Sequence, residues 1–590
     1  MQSWRSGFAA TRPTVSAVFS PPIFQRSSYC SLNISNRLHT LTHKTTMISP
    51  FATSLQLQKN THTIPRPATL LLTETESQIL QLLSETATHI HANNPDQPPL
   101  VLRVAGGWVR DKLLGRTSDD IDIAIDTMKG EPFARHLKEY MLSKSMSLGT
   151  IYTIQVNPDR SKHLETATVR VLGRDLDFVH LRTEIYDENS RNPIVEFGTP
   201  LQDALRRDIT INTLFYNLNT REVEDMTGHG LDDLSAGLIR TPLEPLSTFV
   251  DDPLRVLRVI RFATRFGYEI VSNILKAASD DLIKTAFIKK ISRERIGVEL
   301  NKMLEGPDPV RAIKILQDIE FYPLVFLAPP NICQETVVHE KYAYVANYIL
   351  KLMIQKGILA EMGISQIPLS LQDSRNLHLA ATVLPYQGLT FRLKNKYISV
   401  VRHVVGTSIR LSKHDGDTAH ALLDSSLHIR DLANQNFYND GNTDRTTLGM
   451  FVRELGARPL GEKWDLAVLM ALVHQLTEIA FELADPSQFS LNDEKVVHAI
   501  AVYSKLLTSI MSHQVYDTYN TRPLLDGKEI ATILGVKLGP QIGRYLYHVM
   551  EWQLSHVNST KEQCVEFVKA RFGHHTNAAA NSSKPSKSVE

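Results

Sequence analysis

Two aspartates near position 120 have the spacing of a metal-binding carboxylate pair. Asp120 and Asp122 alternate with apolar residues in the segment DIDIAID, which covers residues 120–126. On an extended strand, residues two apart point to the same side and lie about 7 Å from each other along the chain. Two carboxylates on one side repel each other unless a cation lies between them, and hard oxygen ligands suit Mg²⁺. The pattern predicts that Asp120 and Asp122 bind Mg²⁺.

A glycine pair and an arginine shortly before these aspartates could hold phosphates. Gly106 and Gly107 lack a Cβ atom, so a phosphate can approach the backbone there, and Arg110 can pair with it. Phosphate, divalent metal and a nucleophile together define a phosphoryl-transfer site. The alternative interpretation is a solvated strand end beside an ordinary Gly-Gly turn.

Local patterns indicate which elements would position these groups. Residues 100–104 form a short apolar run of strand type. The segment WVRDKLLG has apolar residues near helical spacing and ends at Gly115, which predicts a short helix. The segment IDIAI, residues 121–125, predicts a second strand that carries Asp122.

The complete pattern GGxVRDxxLGxxxxDxD resembles the signature of the nucleotidyltransferase superfamily that includes DNA polymerase β. Its GGxVRD form resembles the class II tRNA nucleotidyltransferases, which are CCA-adding enzymes, and the bacterial poly(A) polymerases. The resemblance to CCA-adding enzymes implies addition of C, C and A to the tRNA 3′ end from CTP and ATP, without a nucleic-acid template. It also implies two Mg²⁺ ions, with Gly107 and Arg110 steadying the triphosphate.

A third carboxylate is expected on a neighbouring strand. The segments HLETATVRVLG and RDLDFVHLR predict two consecutive strands, and Asp177 lies in the second. The superfamily carries its third catalytic carboxylate on such a strand. The alternative, an isolated surface aspartate, stays open.

The segment LRRDITINTLFYN resembles the RRDxTxN motif of the family. That resemblance implies that Arg207 and Asp208 face the ribose and phosphates of the incoming nucleotide. Asn212 follows Asp208 by about one helical turn. The alternative is a helix for which Asp208 is only the N-cap.

A helix with an arginine stripe is predicted in VDDPLRVLRVIRFATRFGYEI, with Asp252 as N-cap and Pro253 at its first position. At 100° per residue, the arginines fall on one flank and the aliphatic residues on the other. A solvated basic face is the bland alternative. The segment DDPLR resembles the template motif of the family, which implies that Asp252 and Arg255 replace a template base. Arg258 and Arg261 would complete the nucleotide pocket.

Composition describes a globular chain of 590 residues with 42% apolar residues, 22% charged residues and a net charge of +1. RNA binding cannot be inferred from this overall charge and would need local patches. No apolar run approaches the length needed to span a bilayer, so no membrane association is expected. The three cysteines lie far apart and predict no disulfide framework.

The N-terminal segment has the composition of a mitochondrial transit peptide. Up to about residue 68 it contains arginine, serine and threonine but no Asp or Glu, and the first acidic residue is Glu74. The alternative is a disordered tail. Met47 lies just past the basic residues, so initiation there predicts a second, cytoplasmic or nuclear form.

Near the C terminus, glycines between short helical runs predict phosphate contacts that position RNA without reading its sequence. Lys528, Lys537 and Arg544 add positive charge to this segment, which resembles the tRNA-holding tail of the family. The alternative is a plain helix-turn-helix hairpin.

Together these features predict an α+β protein with a polymerase β-like α/β head and an all-α neck, body and tail, the seahorse shape of the family. The predicted divisions are 1–68 (transit peptide or disordered), 69–246 (nucleotidyltransferase head), 247–325 (neck), 326–430 (body), 431–572 (tail) and 573–590 (disordered). The tail would bind the tRNA elbow while the head receives its 3′ end, in a monomer. The rival functions are a poly(A) polymerase, a CC-only enzyme and an RNA-binding scaffold with an inactive head.

Overall fold

The computed structural model describes most of the chain from residue 68 onward. The described residues are 61, 63–64, 68–146, 151–154, 166–185, 194–332, 339–364, 368–437, 443–483 and 488–581. Almost all of the predicted transit peptide, Met47 included, lies outside these residues, as do residues 582–590.

The strands are concentrated in the first third of the chain. Their bounds are β1 (Leu102–Ala105), β2 (Ile121–Ile125), β3 (Ile151–Ile154), β4 (Thr166–Val171), β5 (Arg174–His180), β6 (Arg182–Ile185), β7 (Ile194–Phe197), β8 (Phe215–Asn217), β9 (Glu222–Glu224), β10 (Leu238–Ile239), β11 (Glu269–Ile270), β12 (Thr390–Leu393) and β13 (Lys396–Ser399). Within the described residues, one sheet has seven strands in the order β3-β4-β5-β2-β1-β8-β9.

Helices follow and separate these strands. Their bounds are α1 (Glu74–Asn93), α2 (Gly107–Leu113), α3 (Gly130–Ser143), α4 (Pro200–Leu205), α5 (Gly230–Ala236), α6 (Pro245–Asp251), α7 (Arg255–Phe266), α8 (Ser272–Ala278), α9 (Asp281–Lys290), α10 (Arg293–Leu304), α11 (Pro309–Asp318), α12 (Tyr322–Val325), α13 (Lys341–Gln355), α14 (Ile358–Met362), α15 (Leu371–Val383), α16 (Val400–His403), α17 (Lys413–Asp424), α18 (Ser426–Phe437), α19 (Arg445–Leu455), α20 (Asp465–Glu482), α21 (Glu494–Ser512), α22 (Gly527–Leu534), α23 (Gln541–Ser555) and α24 (Lys561–Asn581).

The centre of the sheet is the parallel pair β2 and β5, flanked by antiparallel neighbours. Ile121, Ile123 and Ile125 of β2 are buried, as the alternating pattern predicts. Helix α3 packs on β5 so closely that a Cβ atom at Gly130 would lie 2.1 Å from the carbonyl oxygen of Phe178. Helix α3 therefore lies directly against β5, whose register with β2 is set by the parallel pairing of the two strands.

The described residues form two compact units. The larger unit runs from Leu55 to Asn442 and continues from Glu454 to Ser512, so it includes the sheet and most helices. In the other unit, the described residues are Thr443–Arg453 and those from His513 onward. Its core packs apolar residues of α22, α23 and α24, among them Ile530, Val549 and Val568.

Several local expectations differ from the structure. Strand β3 and the hairpin β12–β13 were not predicted; the hairpin lies in the region interpreted as helical body. Residues 573–581, expected to be disordered, continue helix α24, because the alanine-rich sequence favours helix. Among the described residues, Gly461–Glu482 is one helix long and apolar enough to cross a membrane, and 72% of its most apolar window is buried in the protein.

Candidate active site

A cleft of about 1000 Å³ opens in the larger unit, between the central strands β2 and β5 and the helices α7 and α10. Its lining is rich in charge of both signs. The arginines are Arg110, Arg182, Arg206, Arg207, Arg255, Arg258, Arg261, Arg265 and Arg295, and the carboxylates are Asp122, Asp177, Asp208, Asp252, Glu184, Glu294 and Glu299. A cavity with this lining suits an anionic ligand held together with a cation.

Asp122 and Asp177 lie side by side at one edge of this cleft. They are Cα partners in the parallel pairing of β2 with β5, and the Thr168 hydroxyl donates a 2.5 Å hydrogen bond to Asp177. Burial by the surrounding cleft raises the pKa of Asp122 above its ordinary value, and the carboxylates of Asp177 and Asp120 raise it further against the charge of Arg207. Asp122 still faces open space, and Asp120 is exposed just before β2.

This arrangement fits a hard divalent cation. A carboxylate such as Asp122, whose pKa is raised by burial and by neighbouring carboxylates, is stabilised as an anion when a metal ion lies beside it. Among the described residues, no group of three or more His, Cys, Asp or Glu side chains is close enough to form a metal site by itself. Water or substrate oxygens would therefore complete the coordination.

The glycine pair allows two arginines to approach the backbone. Gly106 has φ +71°, and a Cβ atom there would lie 2.6 Å from the Arg207 guanidinium. A Cβ atom at Gly107 would lie 3.4 Å from Arg110. In this structure the space beside the two glycines is therefore occupied by the guanidinium groups of Arg207 and Arg110.

Arg110 is held inside the protein. Its side chain is 3% exposed, donates to Asp111 and Asn212, and lies 5.3 Å and 4.8 Å from the ring centres of Phe262 and Phe266. Burial lowers its pKa. Arg110 lines the cleft as predicted, but its guanidinium also fastens α2 to α7.

Asp208 joins its own turn to helix α7. Its carboxylate accepts hydrogen bonds from Asn212 (2.9 Å) and Arg258 (2.8 Å). Burial alone would raise the pKa of Asp208, but the Arg258 charge and the Asn212 hydrogen bond outweigh it and lower that pKa to about 2. The turn is a short 3₁₀ helix that Asp208 does not cap, so the N-cap alternative is wrong.

Arg207 is also engaged by a carboxylate of the protein. It donates to Asp203 at 2.8 Å and 3.1 Å and to the Asn212 carbonyl at 3.2 Å. Arg207 and Asp208 both line the cleft, as predicted. Both side chains are thus held in place by groups of the protein itself.

Asp252 and Arg255, which are expected to replace a template base together, both line the cleft but have separate partners within the protein. Asp252 accepts a 2.7 Å hydrogen bond from Arg295 on α10, whereas Arg255 donates to the carbonyls of Thr248 (3.2 Å) and Arg206 (2.6 Å). Arg255 is 7% exposed. It takes these partners because a buried guanidinium must satisfy its donors with nearby backbone oxygens.

The predicted helix start at Asp252-Pro253 is also wrong. Asp252 is the C-terminal cap of α6, and α7 begins at Arg255. The Asp252 carboxylate does accept from the Leu254 amide at 3.2 Å, so it orders the turn between the two helices. The remaining carboxylate oxygen is left for Arg295 and for a ligand.

Two residues of α10, Arg295 and Glu299, also line the cleft, although the sequence patterns did not single them out. Glu299 is buried and accepts from Arg261 at 2.5 Å, with Arg258 at 3.5 Å. Arg295, which pairs with Asp252, lies one helical turn before it. Their i, i+4 spacing puts both on one face of the helix, the available signal that this face meets α7.

The predicted RNA-binding cations of the tail lie in the other unit. Lys528 is on α22, Arg544 is on α23, and Lys537 is in the loop between these helices. All three side chains are exposed. The helix-turn-helix alternative describes the local backbone correctly and leaves RNA binding open.

The head residues match a known family at the level of class. Residues 102–240 match the family described as "Poly A polymerase head domain", and residues 276–333 match "Probable RNA and SrmB- binding site of polymerase A". The sheet with its carboxylate pair and the arginine-lined cleft thus belong to a nucleotidyltransferase.

Relatives that align along most of the chain define the family more closely. The mitochondrial CCA tRNA nucleotidyltransferase of Candida glabrata is 35% identical, with 86% of this chain and 97% of the relative covered. That of Saccharomyces cerevisiae is 34% identical, with 85% and 94% covered. A solved CCA-adding enzyme in an apo form has a TM-score of 0.55 at 19% identity, covers 84% of this chain and 96% of its own, and shows the same fold. The chain belongs to the CCA tRNA nucleotidyltransferase family, so the predicted family, α+β fold class and enzyme class are confirmed.

Proposed function

We propose that this chain adds C, C and A to the 3′ end of tRNA, with CTP and ATP as substrates and pyrophosphate as the leaving product. The observation that carries the proposal is the cleft in which Asp122, beside Asp177, lies with the arginines of α7. The full-length relatives carry the names of CCA tRNA nucleotidyltransferases, and a chain of this family with an intact cleft is expected to be active.

Asp120 and Asp122 would hold Mg²⁺, with Asp177 as a third carboxylate nearby. Two Mg²⁺ ions bound there supply charge stabilisation for the transferred phosphoryl group and a lowered pKa for the attacking hydroxyl. The protein's own contribution is to keep Asp122 and Asp177 in fixed register, through the pairing of their strands and the hydrogen bond from Thr168.

The arginines of the cleft would hold the triphosphate and sugar in two ways. Arg207 and Arg258, each partly open to the cleft, carry donors that can reach a ligand, and Asp208 orients Arg258. Arg110 and Arg261 are more deeply buried and keep α2, α7 and α10 together. Gly107 leaves room beside them.

Base selection would depend on the Asp252 carboxylate and the guanidinium next to it. Cytosine and adenine each present an amino donor beside a ring-nitrogen acceptor, so a carboxylate beside a guanidinium is complementary. Uracil and guanine present a carbonyl beside an N–H, so their acceptor would face the carboxylate and their donor would face the guanidinium. The adjacent guanidinium here is that of Arg295, and Arg255 would have to leave its two carbonyl partners to reach a base.

The tail cations Lys528, Lys537 and Arg544 would contact the tRNA elbow, and the chain would act as a monomer. The mitochondrial names of its relatives support a mitochondrial location. Initiation at Met47 would supply a cytoplasmic or nuclear pool. Changing Met47 to Ala in a chain tagged at its C terminus should remove that pool, and a pool that persists would contradict internal initiation.

The deciding experiment uses purified protein and tRNA that lacks its 3′-terminal CCA, offered CTP alone, ATP alone and both. Three added nucleotides with both substrates support the proposal. A long A tract would indicate a poly(A) polymerase, two C residues a CC-only enzyme, and no incorporation an inactive RNA-binding scaffold.

A further inference from the structure

A basic hairpin in the larger unit forms a two-stranded sheet of its own, separate from the seven-stranded sheet. Strands β12 and β13 pair antiparallel, with Leu393 opposite Lys396, so the turn consists of Lys394 and Asn395. The base of the hairpin is anchored by Phe391, which is buried and packs edge-on against His403 at 4.9 Å between ring centres. Buried Phe391 therefore fixes the end of the hairpin that is opposite its turn.

The tip carries positive charge that the protein does not neutralise. Between Ser374 and His414 the chain has seven Lys and Arg residues and no Asp or Glu, although its net charge is only +1. Arg392, Lys394 and Lys396 are exposed, and none of them has a carboxylate partner within the described part of the chain. By contrast, Arg402 and Lys413 further along share Asp417, at 2.8 Å and 3.1 Å.

Two further features distinguish this tip from an ordinary solvated turn. Tyr397 is 71% exposed and is the cross-strand partner of Arg392, so an aromatic ring and a guanidinium lie on one face of the hairpin. Lys394 has φ +55°, a left-handed conformation that costs a lysine free energy and that glycine or asparagine would adopt more readily.

The basic segment leads from the hairpin back to the cleft. After β13, helix α16 and one turn of π-helix (Val404–Ser408) bring Ile409 against α10, where a Cβ atom at Gly297 would lie 1.9 Å from the Ile409 carbonyl oxygen. The next residue, Arg410, pairs at 3.2 Å with Glu294, which lines the cleft. The path from Lys396 to Arg410 is at most about 30 Å long by strand and helix rise.

We propose that the β12–β13 hairpin binds the phosphate backbone of the tRNA acceptor arm where it leaves the cleft, a contact that rests on the proposed function. A polynucleotide with its 3′ end in the cleft must pass the cleft's rim, and the segment that meets this rim at Arg410 leads to the unneutralised cations of the hairpin. Arg392, Lys394 and Lys396 supply the charge, and Tyr397 supplies a hydroxyl donor beside Arg392. These contacts position the RNA and read no sequence.

The test compares two full-length variants with equal change in charge. One carries Arg392→Glu, Lys394→Glu and Lys396→Glu. The control carries Lys138→Glu, Lys341→Glu and Lys356→Glu, three exposed lysines on other elements. The dissociation constant for tRNA lacking CCA, and for a minihelix of its acceptor and T arms, is measured from about 50 to 200 mM salt. Because each phosphate contact contributes about 0.9 to the slope of log Kd against log salt, the hairpin variant should lower that slope by about 2 to 3.

We expect the hairpin variant to bind both RNAs about tenfold more weakly at 100 mM salt, with the KM for CTP unchanged. Binding equal to that of the control variant would overturn the proposal, and so would a loss seen with full tRNA but not with the minihelix. If the triple Glu variant melts early, the triple Gln variant must show the same effect at smaller size. Wild-type protein that binds RNA but adds no nucleotide would instead refute the proposed function, since binding is measured without catalysis.

Discussion

Some side chains in the cleft are hydrogen-bonded to other groups of the protein, and others are open to a ligand. Arg110 and Arg255 are buried and satisfied by internal partners, so they act as positioning residues. Asp122 is open to the cleft, and its raised pKa reflects burial and neighbouring carboxylates. Asp122 is therefore open to a ligand, while these two buried arginines help to build the wall of the cleft.

Asp122→Ala is expected to abolish nucleotide addition while tRNA binding survives. Loss of the metal ligand removes charge stabilisation at the phosphoryl group that is worth several kcal/mol. Asp120→Ala should act in the same direction. Addition rates and tRNA affinity are measured with Mg²⁺ as the only divalent ion. Asp175→Ala, an exposed aspartate on the same strand as Asp177, is the control. Near-normal turnover in Asp122→Ala would remove the metal assignment.

Asp252→Asn is expected to weaken selection of CTP and ATP over UTP and GTP by roughly five- to 150-fold. Asparagine can still accept from the Leu254 amide, and the lost ion pair with half-exposed Arg295 costs at most about 1 kcal/mol, so the melting temperature should change little. Incorporation of the four nucleotides is compared with that of Asp281→Asn, an exposed aspartate outside the cleft lining. Unchanged selectivity would reduce Asp252 to a residue that orders the turn.

At the scale of elements, helices α7 and α10 and the 3₁₀ turn at 210–212 hold one another through charge pairs. Asp208 reaches from the turn to Arg258 on α7, and Glu299 reaches from α10 to Arg261 and Arg258. This wall of the cleft is thus assembled from three elements. Its stability depends on the ionised carboxylates of Asp208 and Glu299.

The Asp208 contact predicts a pH-dependent stability difference. Its folded-state pKa of about 2 lies below the ordinary 3.8, so ionised Asp208 stabilises the fold above about pH 4, and this contribution is lost as the pH falls through 2. The contribution is on the order of 2 kcal/mol. Urea unfolding from pH 6 to pH 3 should show Asp208→Asn less stable at pH 6, with a gap that narrows below pH 4. Asp281→Asn, on an exposed site, is the control. A gap independent of pH would contradict the assignment.

Helix α10 packs so closely on the segment after α16 that one added methyl group at Gly297 is expected to destabilise the fold. Gly297→Ala would place a Cβ atom 1.9 Å from the Ile409 carbonyl oxygen, so the backbone must move, at a cost of about 1–3 kcal/mol in the free energy of unfolding. Gly406→Ala has open space around its Cβ and should be neutral or slightly stabilising. Equal stability of the two variants in denaturant unfolding would show that this contact is loose.

At the scale of the whole molecule, the chain separates chemistry and the predicted tail contacts into two compact units. The tail unit draws Thr443–Arg453 back from earlier in the chain, and Arg445 donates to the carbonyls of His513 (3.0 Å) and Leu554 within it. Truncation before Arg522 would therefore remove Leu554, a hydrogen-bond partner of Arg445, as well as the predicted RNA contacts.

Charge reversal is the cleaner test of the tail. Lys528→Glu, Lys537→Glu and Arg544→Glu together should raise the KM for tRNA by about tenfold and leave the KM for CTP unchanged, since lost phosphate contacts weaken only RNA binding. Steady-state kinetics with each substrate varied in turn provide the measurement. The Lys138, Lys341 and Lys356 triple variant is again the control. An unchanged KM for tRNA would assign these helices to scaffold alone.

The amino-acid sequence by itself determined the local features of this protein. Period-two alternation placed Asp122 on a strand, and the glycine pair, helix α2 and the arginine-bearing helix α7 followed from patterns within a few residues. The resemblance in ordered motifs led to the family and to the class of reaction. These features depend on neighbours along the chain, so they can be read without coordinates.

Only the tertiary structure decided which charges meet. Asp252 pairs with Arg295 instead of Arg255, Glu299 joins the arginine wall, and Asp122 lies beside Asp177. A buried charged group takes whichever partner satisfies it in space, and the candidates come from elements far apart in sequence. Local periodicity carries no information about that choice, because it is made when separate elements pack together.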